Sequence, residues 1–247
     1  MTTASPKPKP EILPENKLPI EHPEYRYPES MNPYYKKIRA LERGAYSNHD
    51  AEDLKGQWAS LFAPGTQALH LEIGCNGGHV TNALAERAPN IGHLGLDWKH
   101  KQVFLAAEKA AKKGIKNAIY LRAHALRLPY LFAPEELQRI SIFFPDPWPT
   151  KSTWKNRYIR TEWLKGVAPL LAHGGEIHIK TDHRGYFDWI CDAFKEVSDQ
   201  YENTHLTFDK HAEHPNAQSL TIPDVTLFER LFIRDGLPIH EGVWRIR

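Results

Sequence analysis

Cysteine is scarce in this sequence, with Cys75 and Cys191 the only two among 247 residues. Two cysteines are too few for a disulfide framework, which favours a protein of the reducing cytoplasm. The sequence also has no apolar run of the roughly 18–20 residues that a membrane span requires. Residues 1–20 lack the apolar segment of a secretory signal peptide. These absences argue against a disulfide-rich secreted protein and a membrane protein, and they predict a cytoplasmic one.

An excess of charge of either sign is absent as well. Lysine and arginine total 32, aspartate and glutamate total 30, and the formal net charge at pH 7 is +2. Any surface for a polyanion such as nucleic acid must therefore come from local clustering of cations. Apolar residues make up 41% and charged residues 25% of the chain, a composition typical of globular domains.

Histidine is abundant, with 14 residues, but the spacing of a metal site is missing. The pair that comes nearest to such a spacing, His211 and His214, lies in a polar segment beside Pro215 and has no cysteine near it. Structural zinc sites usually combine four histidine and cysteine ligands. We therefore expect no metal ion, and we interpret these histidines as surface residues.

The chain divides by composition into an arm and a domain. Residues 1–33 hold eight of the 19 prolines among mixed lysines and glutamates, which predicts a flexible or polyproline-like arm. This arm is either a passive tail or an additional segment that binds RNA. Residues 34–247 are predicted to form the domain, with an N-terminal helical segment at 34–65 and an α/β core at 66–247.

The core alternates β-rich and helical segments. Strands are predicted at 68–73, 93–98, 117–123, 140–144 and 176–181, and helices at 80–88, 99–113, 158–171 and 186–197. Such alternation predicts a Rossmann-like α/β fold, in which a mostly parallel sheet has helices on both faces. Residues 226–234 and 243–247 are predicted as two further strands, which would form an antiparallel C-terminal hairpin at the edge of the sheet.

The turn after the first predicted strand combines glycines with an acid. In LEIGCNGG, Glu72 precedes Gly74 by two residues, and Gly78 follows four residues later. Glycines at such a turn let a ligand approach the backbone. The spacing is closer to that of S-adenosylmethionine enzymes than to the dinucleotide motif G-x-G-x-x-G. Asp97 ends the next strand, where an acid can hold ribose hydroxyls, so the pattern favours a nucleoside cofactor.

A second distinctive stretch is ISIFFPDPWPTKSTWKNR, residues 140–157. A short apolar strand stops there at a run of prolines, and Asp146 lies between two of them, just before Trp148. Ligands of open α/β sheets bind just beyond such strand ends. Four cations follow in the sequence: Lys151, Lys155, Arg157 and Arg160. A carboxylate, an aromatic surface and a basic run predict a site that holds a polyanion and acts on one of its bases.

These motifs occur in a recognisable order. From about residue 68 to residue 247, LEIGCNGG, LGLDW, FFPDPWPTK, KTD and TLFE follow one another, and GVW closes the series. On these motifs, of which FPDPWP and T-x-F-E are the most specific, the chain resembles the bacterial tRNA (guanine-N7-)-methyltransferase family. The resemblance implies a class I methyltransferase fold with a seven-stranded sheet and S-adenosylmethionine as the methyl donor. It also implies a guanine in the variable loop of tRNA as the acceptor, and it leaves a monomer or a homodimer open.

The resemblance assigns site residues position by position. The cofactor contacts that it implies are Glu72, Gly74, Gly78, Asp97, His124 and Asp146. Asp146 is also implied as the active-site residue. The substrate contacts that it implies are Thr150, Lys151, Lys155, Arg157, Asp182, Thr226, Phe228 and Glu229. Lys180, inside the fifth predicted strand, is expected only to extend toward solvent at the strand end.

The chain departs from the pattern of this family at a few positions. Asn76 replaces the middle glycine of the cofactor turn, His124 replaces a carboxylate, and Thr150 replaces a lysine. Asparagine tolerates left-handed backbone better than most residues. Histidine can still form a hydrogen bond, but it changes the local charge. The changes bear on affinity for RNA and on the choice of RNA more than on the chemistry.

The implied chemistry requires alignment of the reacting atoms rather than a general base. Guanine N7 has a free lone pair at neutral pH, so no proton has to be removed before it attacks a methyl group. We hypothesise that Asp146 accepts hydrogen bonds from the guanine N1–H and amino group and stabilises the positive charge that develops on the ring. Glu229 or Asp182 could act in the same way, and the sequence does not rank the three.

Other functions stay open from the sequence. An RNA-binding protein that keeps the fold but has lost turnover would explain the changes at Asn76, His124 and Thr150. A methyltransferase with a different RNA or a small molecule as acceptor would explain the thinned basic run after Trp148. A nicotinamide-dependent dehydrogenase is least favoured, because it gives no reason for FPDPW followed by cations.

Overall fold

The computed structural model describes residues 18–28, 31–41, 43–200, 208–214 and 226–246. Its strands are β1 (Ala45–Ser47), β2 (Ala68–Ile73), β3 (Ile91–Asp97), β4 (Ala118–Arg122), β5 (Leu137–Phe143), β6 (Leu171–Thr181), β7 (Phe208–His214) and β8 (His240–Ile246). Its α-helices are α1 (Pro33–Arg39), α2 (His49–Glu52), α3 (His79–Arg87), α4 (His100–Lys112), α5 (Leu128–Leu131), α6 (Thr161–Val167), α7 (Arg184–Gln200) and α8 (Leu227–Arg234). The arm before residue 18 lies outside the described residues.

One sheet contains all of the described strands, in the order β1-β4-β3-β2-β5-β6-β8-β7. The strands from β1 to β6 pair in parallel, whereas β8 pairs antiparallel with both β6 and β7. The predicted mostly parallel α/β fold with an antiparallel C-terminal hairpin is therefore confirmed. The three-residue β1 adds an edge strand to the seven, and it lies in the segment 34–65 that was predicted as helical.

The prediction of a strand at 226–234 is wrong, because these residues form α8. The strand that pairs with β8 at the edge of the sheet is β7. The hydroxyl of Thr226 accepts the backbone N–H of Glu229 at 2.8 Å and so caps the first turn of α8. T-x-x-E before an apolar run is a helix-start signal. It competes here with a β-rich composition, and the cap decides the outcome.

The apolar face of the sheet carries the main core. Leu69, Leu71 and Ile73 of β2 and Ile177 and Ile179 of β6 point to this face at every second position, as the period of a strand requires. Their cluster includes residues of α2, α5, α6 and α7. These helices therefore cover one side of the sheet and leave the other side to α1, α3, α4 and α8.

The opposite face carries buried polar side chains in the middle of the sheet. Glu72 of β2, His93 of β3, Ser141 of β5 and Lys180 of β6 are each less than 9% exposed. They alternate with the apolar residues of the same strands. We call this side the polar face, and α3 is one of the helices that cover it, through contacts with β3 and β4.

Part of the proline-rich arm is docked on the domain. The buried guanidinium of Arg127 donates to the backbone carbonyls of Ile20 (3.1 Å) and His22 (2.8 Å). It also forms a two-pronged ion pair with Glu52. Tyr130 donates its hydroxyl hydrogen to the carbonyl of Glu21. Residues 18–28 therefore share polar contacts with α2 and α5.

None of the helices in the described residues is both long and apolar enough to cross a membrane.

We predict that acid weakens the fold through His93. Burial lowers the pKa of His93 to about 4, below the value of about 6.5 in an unfolded chain. The unfolded state therefore binds the extra proton, and the stabilisation is present above pH 6.5 and lost toward pH 4. Relative to His93→Gln, the unfolding free energy of the wild type should fall by about 1.4 kcal/mol per pH unit in this window. Urea unfolding at several pH values measures it, and a pH-independent difference would contradict it.

Candidate functional site

The carboxyl ends of the parallel strands lie side by side at one edge of the sheet. In the spatial order of the strands, β4, β3, β2, β5 and β6 are neighbours. Their ends bring His124, Asp97, Gly74, Phe144 and Asp182 to this edge. Ligands of open α/β sheets bind there. Several of the residues predicted to contact the cofactor or the acceptor thus lie at a single edge.

The glycine turn after β2 leaves open space at Gly74. Gly74 has φ +81°, and a Cβ atom built on it would meet no atom within 4 Å. Gly78 has φ +69°, but a Cβ there would lie 2.7 Å from the Cβ of Ala106. Gly74 therefore suits close approach of a ligand, while Gly78 lets α3 pack on α4. Asn76, with φ +49°, adopts the left-handed backbone that its predicted tolerance allows.

The carboxylate of Asp97 is fixed beside this turn. Its two oxygens accept the backbone N–H groups of Asn76 at 2.9 Å and of Lys99 at 2.8 Å. Each carboxylate oxygen has a second lone pair, so the group can accept further hydrogen bonds. The geometry suits the vicinal hydroxyls of a ribose lying along the strand ends.

Glu72 is a buried acid under the same turn. The hydroxyl of Thr81 in α3 donates to its carboxylate, and the side chain forms no ion pair with the described residues. Burial raises the pKa of Glu72 to about 7. A cationic ligand group near this carboxylate would favour its ionised form. Glu72 therefore suits the ammonium group of an amino-acid ligand.

His124 lies beyond Asp97 on the side away from the glycine turn. Its Nδ1 accepts the backbone N–H of Leu126 at 3.2 Å, which places the ring proton on Nε2. Burial lowers the pKa of His124, so the ring is neutral at physiological pH. The ring meets Trp98 edge-on at 5.1 Å, and Trp98 is 42% exposed. Together they offer an aromatic surface to a planar base, where the family resemblance implies a carboxylate.

In the loop after β5, Asp146 lies between two residues with a strained backbone. Phe144 has φ +53° and Trp148 has φ +43°, both in the left-handed region. Such a conformation costs of order 1–3 kcal/mol per residue and is typical of functional sites. Phe144 donates its backbone N–H to the carbonyl of Lys180 at 2.8 Å. The exposed Asp146 lies between these fixed points, next to the end of β6.

Arg157 supports this loop from the interior of the protein, and its side chain is not placed for the predicted contact with phosphate. It is 2% exposed, and its Nε donates to the carbonyl of Pro147 at 2.8 Å. The guanidinium lies 4.9, 4.8 and 5.2 Å from the ring centroids of Trp154, Tyr186 and Trp189. The sequence could not separate this buried arginine from its exposed basic neighbours, because all of them follow the same motif.

The other basic residues lie on the surface beside the loop. Lys151 and Lys155 are exposed on a short 3-10 helix, Lys151–Asn156. The side chain of Arg160 lies 3.6 Å from that of Glu21 in the docked arm. Thr150 precedes the 3-10 helix, and its hydroxyl lies 2.9 Å from that of Thr153. Lys151 and Lys155 are therefore free to meet an anion near Asp146.

Two of the predicted substrate residues are buried and do not face the edge where the other site residues lie. Glu229 is 1% exposed, and its oxygens lie 2.9 and 3.2 Å from the Nζ of Lys180. Thr226 is buried as the cap of α8. Their predicted contact with a substrate is therefore replaced by structural contacts. Lys180, expected at the strand end, is instead 1% exposed, and no local sequence signal pairs residues 49 positions apart.

Phe228 and Asp182 remain available at the edge. Phe228 is 47% exposed, and its ring lies 6.4 Å from Phe144 and 6.1 Å from Phe232. Asp182 is half-buried just after β6. We call Asp146, Asp182 and this aromatic cluster the acceptor half of the candidate site, after the role that the sequence predicts for them. In the part of the chain that the structure describes, no group of three or more metal-binding side chains is close enough to hold an ion.

The residues at the edge fit a cofactor that joins an adenosine to an amino acid. Gly74 has open space above it, Asp97 can bind hydroxyls, and Glu72 is a buried acid without a cation. The aromatic surface of Trp98 and His124 lies at the far end. The order of these groups along the edge suits S-adenosylmethionine.

Comparison with known proteins gives matches over most of the chain. A family model described as "Putative methyltransferase" matches residues 66–241. A tRNA (guanine-N(7)-)-methyltransferase of Lachnoclostridium phytofermentans is 33% identical over 205 residues, which is 82% of this chain and 92% of that protein. A bifunctional glycosyltransferase/methyltransferase of Fusobacterium nucleatum is 33% identical over 199 residues. That match covers 81% of this chain but only 30% of that longer protein.

Solved structures agree on the fold. The crystal structure of the 16S rRNA methyltransferase KamB superposes with a TM-score of 0.55 and 17% identity, over 77% of this chain and 91% of that chain. At this identity the likeness concerns the fold alone, which is that of class I methyltransferases.

We predict that Arg157 acts on stability rather than on surface charge. Arg157→Lys keeps the charge but loses the planar group that donates to Pro147 and lies among aromatic rings. The free energy of unfolding should fall by about 1–2 kcal/mol, as for a lost buried hydrogen bond. The exposed Lys155→Met, as the control, should change it by less than about 0.5 kcal/mol. Chemical unfolding measures both, and equal effects of the two substitutions would contradict the assignment.

Proposed function

The chain belongs to the tRNA (guanine-N7-)-methyltransferase family, and from this premise we propose that it methylates N7 of a guanine in the variable loop of tRNA. The enzyme is S-adenosylmethionine-dependent, as its family and fold indicate. The observation that carries the proposal is the meeting of the Gly74 turn and the Asp146 loop at one edge of the sheet.

Residues of three strand ends would hold the cofactor. Asp97 would accept the ribose hydroxyls, Glu72 would face the ammonium group, and Trp98 with His124 would border the adenine. The bound cofactor supplies a methyl group on a positively charged sulfur. The open space at Gly74 would let the methyl end face the loop after β5.

Asp146 would orient the guanine and stabilise its charge. Guanine N7 needs no base, so the protein has to align the base and exclude the wrong ones. A carboxylate that accepts from N1–H and the 2-amino group selects guanine, because adenine has no N1–H and carries its amino group at C6 instead of C2. The same carboxylate stabilises the positive charge that the ring gains on methylation. Asp182 could share this task, whereas Glu229 is engaged by Lys180.

The surface beside the loop would hold the tRNA backbone. Lys151 and Lys155 are exposed, whereas Arg160 is half-buried and pairs with Glu21 and Glu162. Cations on phosphates give affinity that falls with salt and carries no sequence information. The choice of guanine would therefore come from the loop, and the general affinity for tRNA from these cations.

We predict that the purified protein forms 7-methylguanosine in unmodified tRNA, and that Asp146→Asn lowers this turnover about 100-fold or more. The measurement is transfer from labelled S-adenosylmethionine, with nucleosides of the product tRNA identified. As a control, affinity for S-adenosylhomocysteine should fall far less than turnover in Asp146→Asn, because the proposed contacts at Asp97 and Glu72 are kept. Full turnover in Asp146→Asn would refute its role, and label in another nucleoside would refute the proposed acceptor.

We also predict that cofactor affinity rises with pH through Glu72. The raised pKa of about 7 means that the free protein holds Glu72 protonated at lower pH. An ammonium ligand favours the ionised form, so S-adenosylhomocysteine should bind more tightly at pH 7 than at pH 5.5, by up to about tenfold. Calorimetric titration measures this. Glu72→Gln should bind more weakly and without this pH dependence, and an unchanged dependence in the variant would contradict the prediction.

A further inference from the structure

Four polar side chains meet in the interior between β6, β8 and α8. His178, Lys180, Glu229 and Glu241 are 0%, 1%, 1% and 0% exposed. The Nζ of Lys180 lies 2.9 Å from Glu229 and 3.8 Å from Glu241, and Glu241 is also hydrogen-bonded to His178. We call these four residues the buried quartet.

Stability alone gives no reason for the buried quartet. Ion pairs in an interior lose solvation, and apolar residues of similar volume often stabilise a fold equally well or better. The quartet also contains two carboxylates for one lysine. Burial lowers the pKa of His178, which therefore adds no positive charge at neutral pH. Such a cluster is explained more readily by a geometry that it enforces.

The geometry that depends on the quartet is the position of α8. All eight residues of α8 are described, and Glu229 is the one with a buried side chain. The apolar side chains of this helix are exposed or only partly buried, with Leu227 and Ile233 at 59% and 52% exposure, so none of them is enclosed in the core. The ion pair between Glu229 and Lys180 is therefore its central anchor on the sheet. Elsewhere on α8, the exposed Arg230 lies with its Nη2 3.0 Å from Nε2 of His79 at the start of α3.

Lys180 holds the strained loop through its backbone as well. Its carbonyl accepts the N–H of Phe144, the left-handed residue that starts the loop of Asp146. The ring of Phe144 in turn packs against that of Phe232 in α8, with 5.2 Å between the ring centroids. One residue thus fixes α8 with its side chain and the loop with its backbone.

We propose that Lys180 is a positioning residue of the acceptor half. It holds α8 and the loop in register, so that Phe228 and Asp146 border one space for the nucleobase. Glu241 and His178 keep the ammonium of Lys180 aimed at Glu229. This role rests on the proposed function, because the base to be positioned is the guanine of the tRNA.

The first test compares two ion-paired cations of the same sheet, of which Lys180 is buried and Arg139 is partly buried. Lys180→Met should lower kcat for tRNA methylation at least about 50-fold, while the Kd for S-adenosylhomocysteine stays within about twofold. Arg139→Met is the matched control, because Arg139 pairs with Glu176 across β5 and β6 at the opposite end of these strands. The control should keep kcat within about twofold. Equal kcat losses in both variants would reduce Lys180 to a structural role and overturn the proposal.

A milder variant covers the case in which Lys180→Met does not fold. Glu241→Gln keeps a hydrogen-bonding group and removes one charge from the quartet. It should lower kcat about fivefold or more without weakening binding of S-adenosylhomocysteine. An unchanged kcat, or a loss of cofactor affinity as large as the loss of kcat, would overturn the positioning role.

Hydrogen exchange separates this proposal from the proposed function. In Lys180→Met, or in Glu241→Gln if the former does not fold, amides of 227–234 and of the loop at 144–148 should exchange at least about tenfold faster, whereas those at 79–87 should not change. This result would support the coupling even if the wild type failed to methylate tRNA, a failure that would refute the proposed function alone. Unchanged exchange in α8 and the loop would overturn the proposal, even with an active wild type.

Discussion

The strict alternation of side chains along the central strands is the constraint on which the site depends. Because the period of a strand is two, Leu71 and Ile73 face the apolar core while Glu72 between them faces α3. The same alternation sends Ile179 to the core and Lys180 to the polar face. A shift of one residue in the register of either strand would exchange the two sets. The large core on one side therefore secures the polar groups on the other.

The two halves of the site are held by different forces. Backbone hydrogen bonds and glycine conformations define the cofactor half, as at Gly74 and Asp97. Contacts between distant elements define the acceptor half, where the side chain of Arg157 and the backbone carbonyl of Lys180 fix a loop with left-handed residues. Such a loop persists only when its surroundings over-determine it. In the proposed function, the cofactor would thereby lie on a rigid turn and the base on a surface that distant elements position.

Local patterns in the sequence predicted the strands that carry Glu72 and Asp97 to the edge of the sheet, and they missed the burial of residues predicted to bind the acceptor. Glu72 and Asp97 could be assigned because parallel strands end at a common edge, so a motif and its strand suffice. The burial of Arg157 and the pairing of Glu229 with Lys180 depend on contacts between remote segments, which no local pattern encodes. The helix α8 is an intermediate case, since its cap at Thr226 was present in the sequence as T-x-x-E but the β-rich composition outweighed it.

The most direct test of this division is a crystal structure of the protein with S-adenosylhomocysteine. The account predicts that the ribose hydroxyls bind the Asp97 carboxylate, that the ammonium group lies nearest to Glu72, and that the sulfur faces the loop of Asp146. A ribose bound elsewhere, or a sulfur directed away from this loop, would contradict the account, because the methyl group could not then reach a base held in the acceptor half.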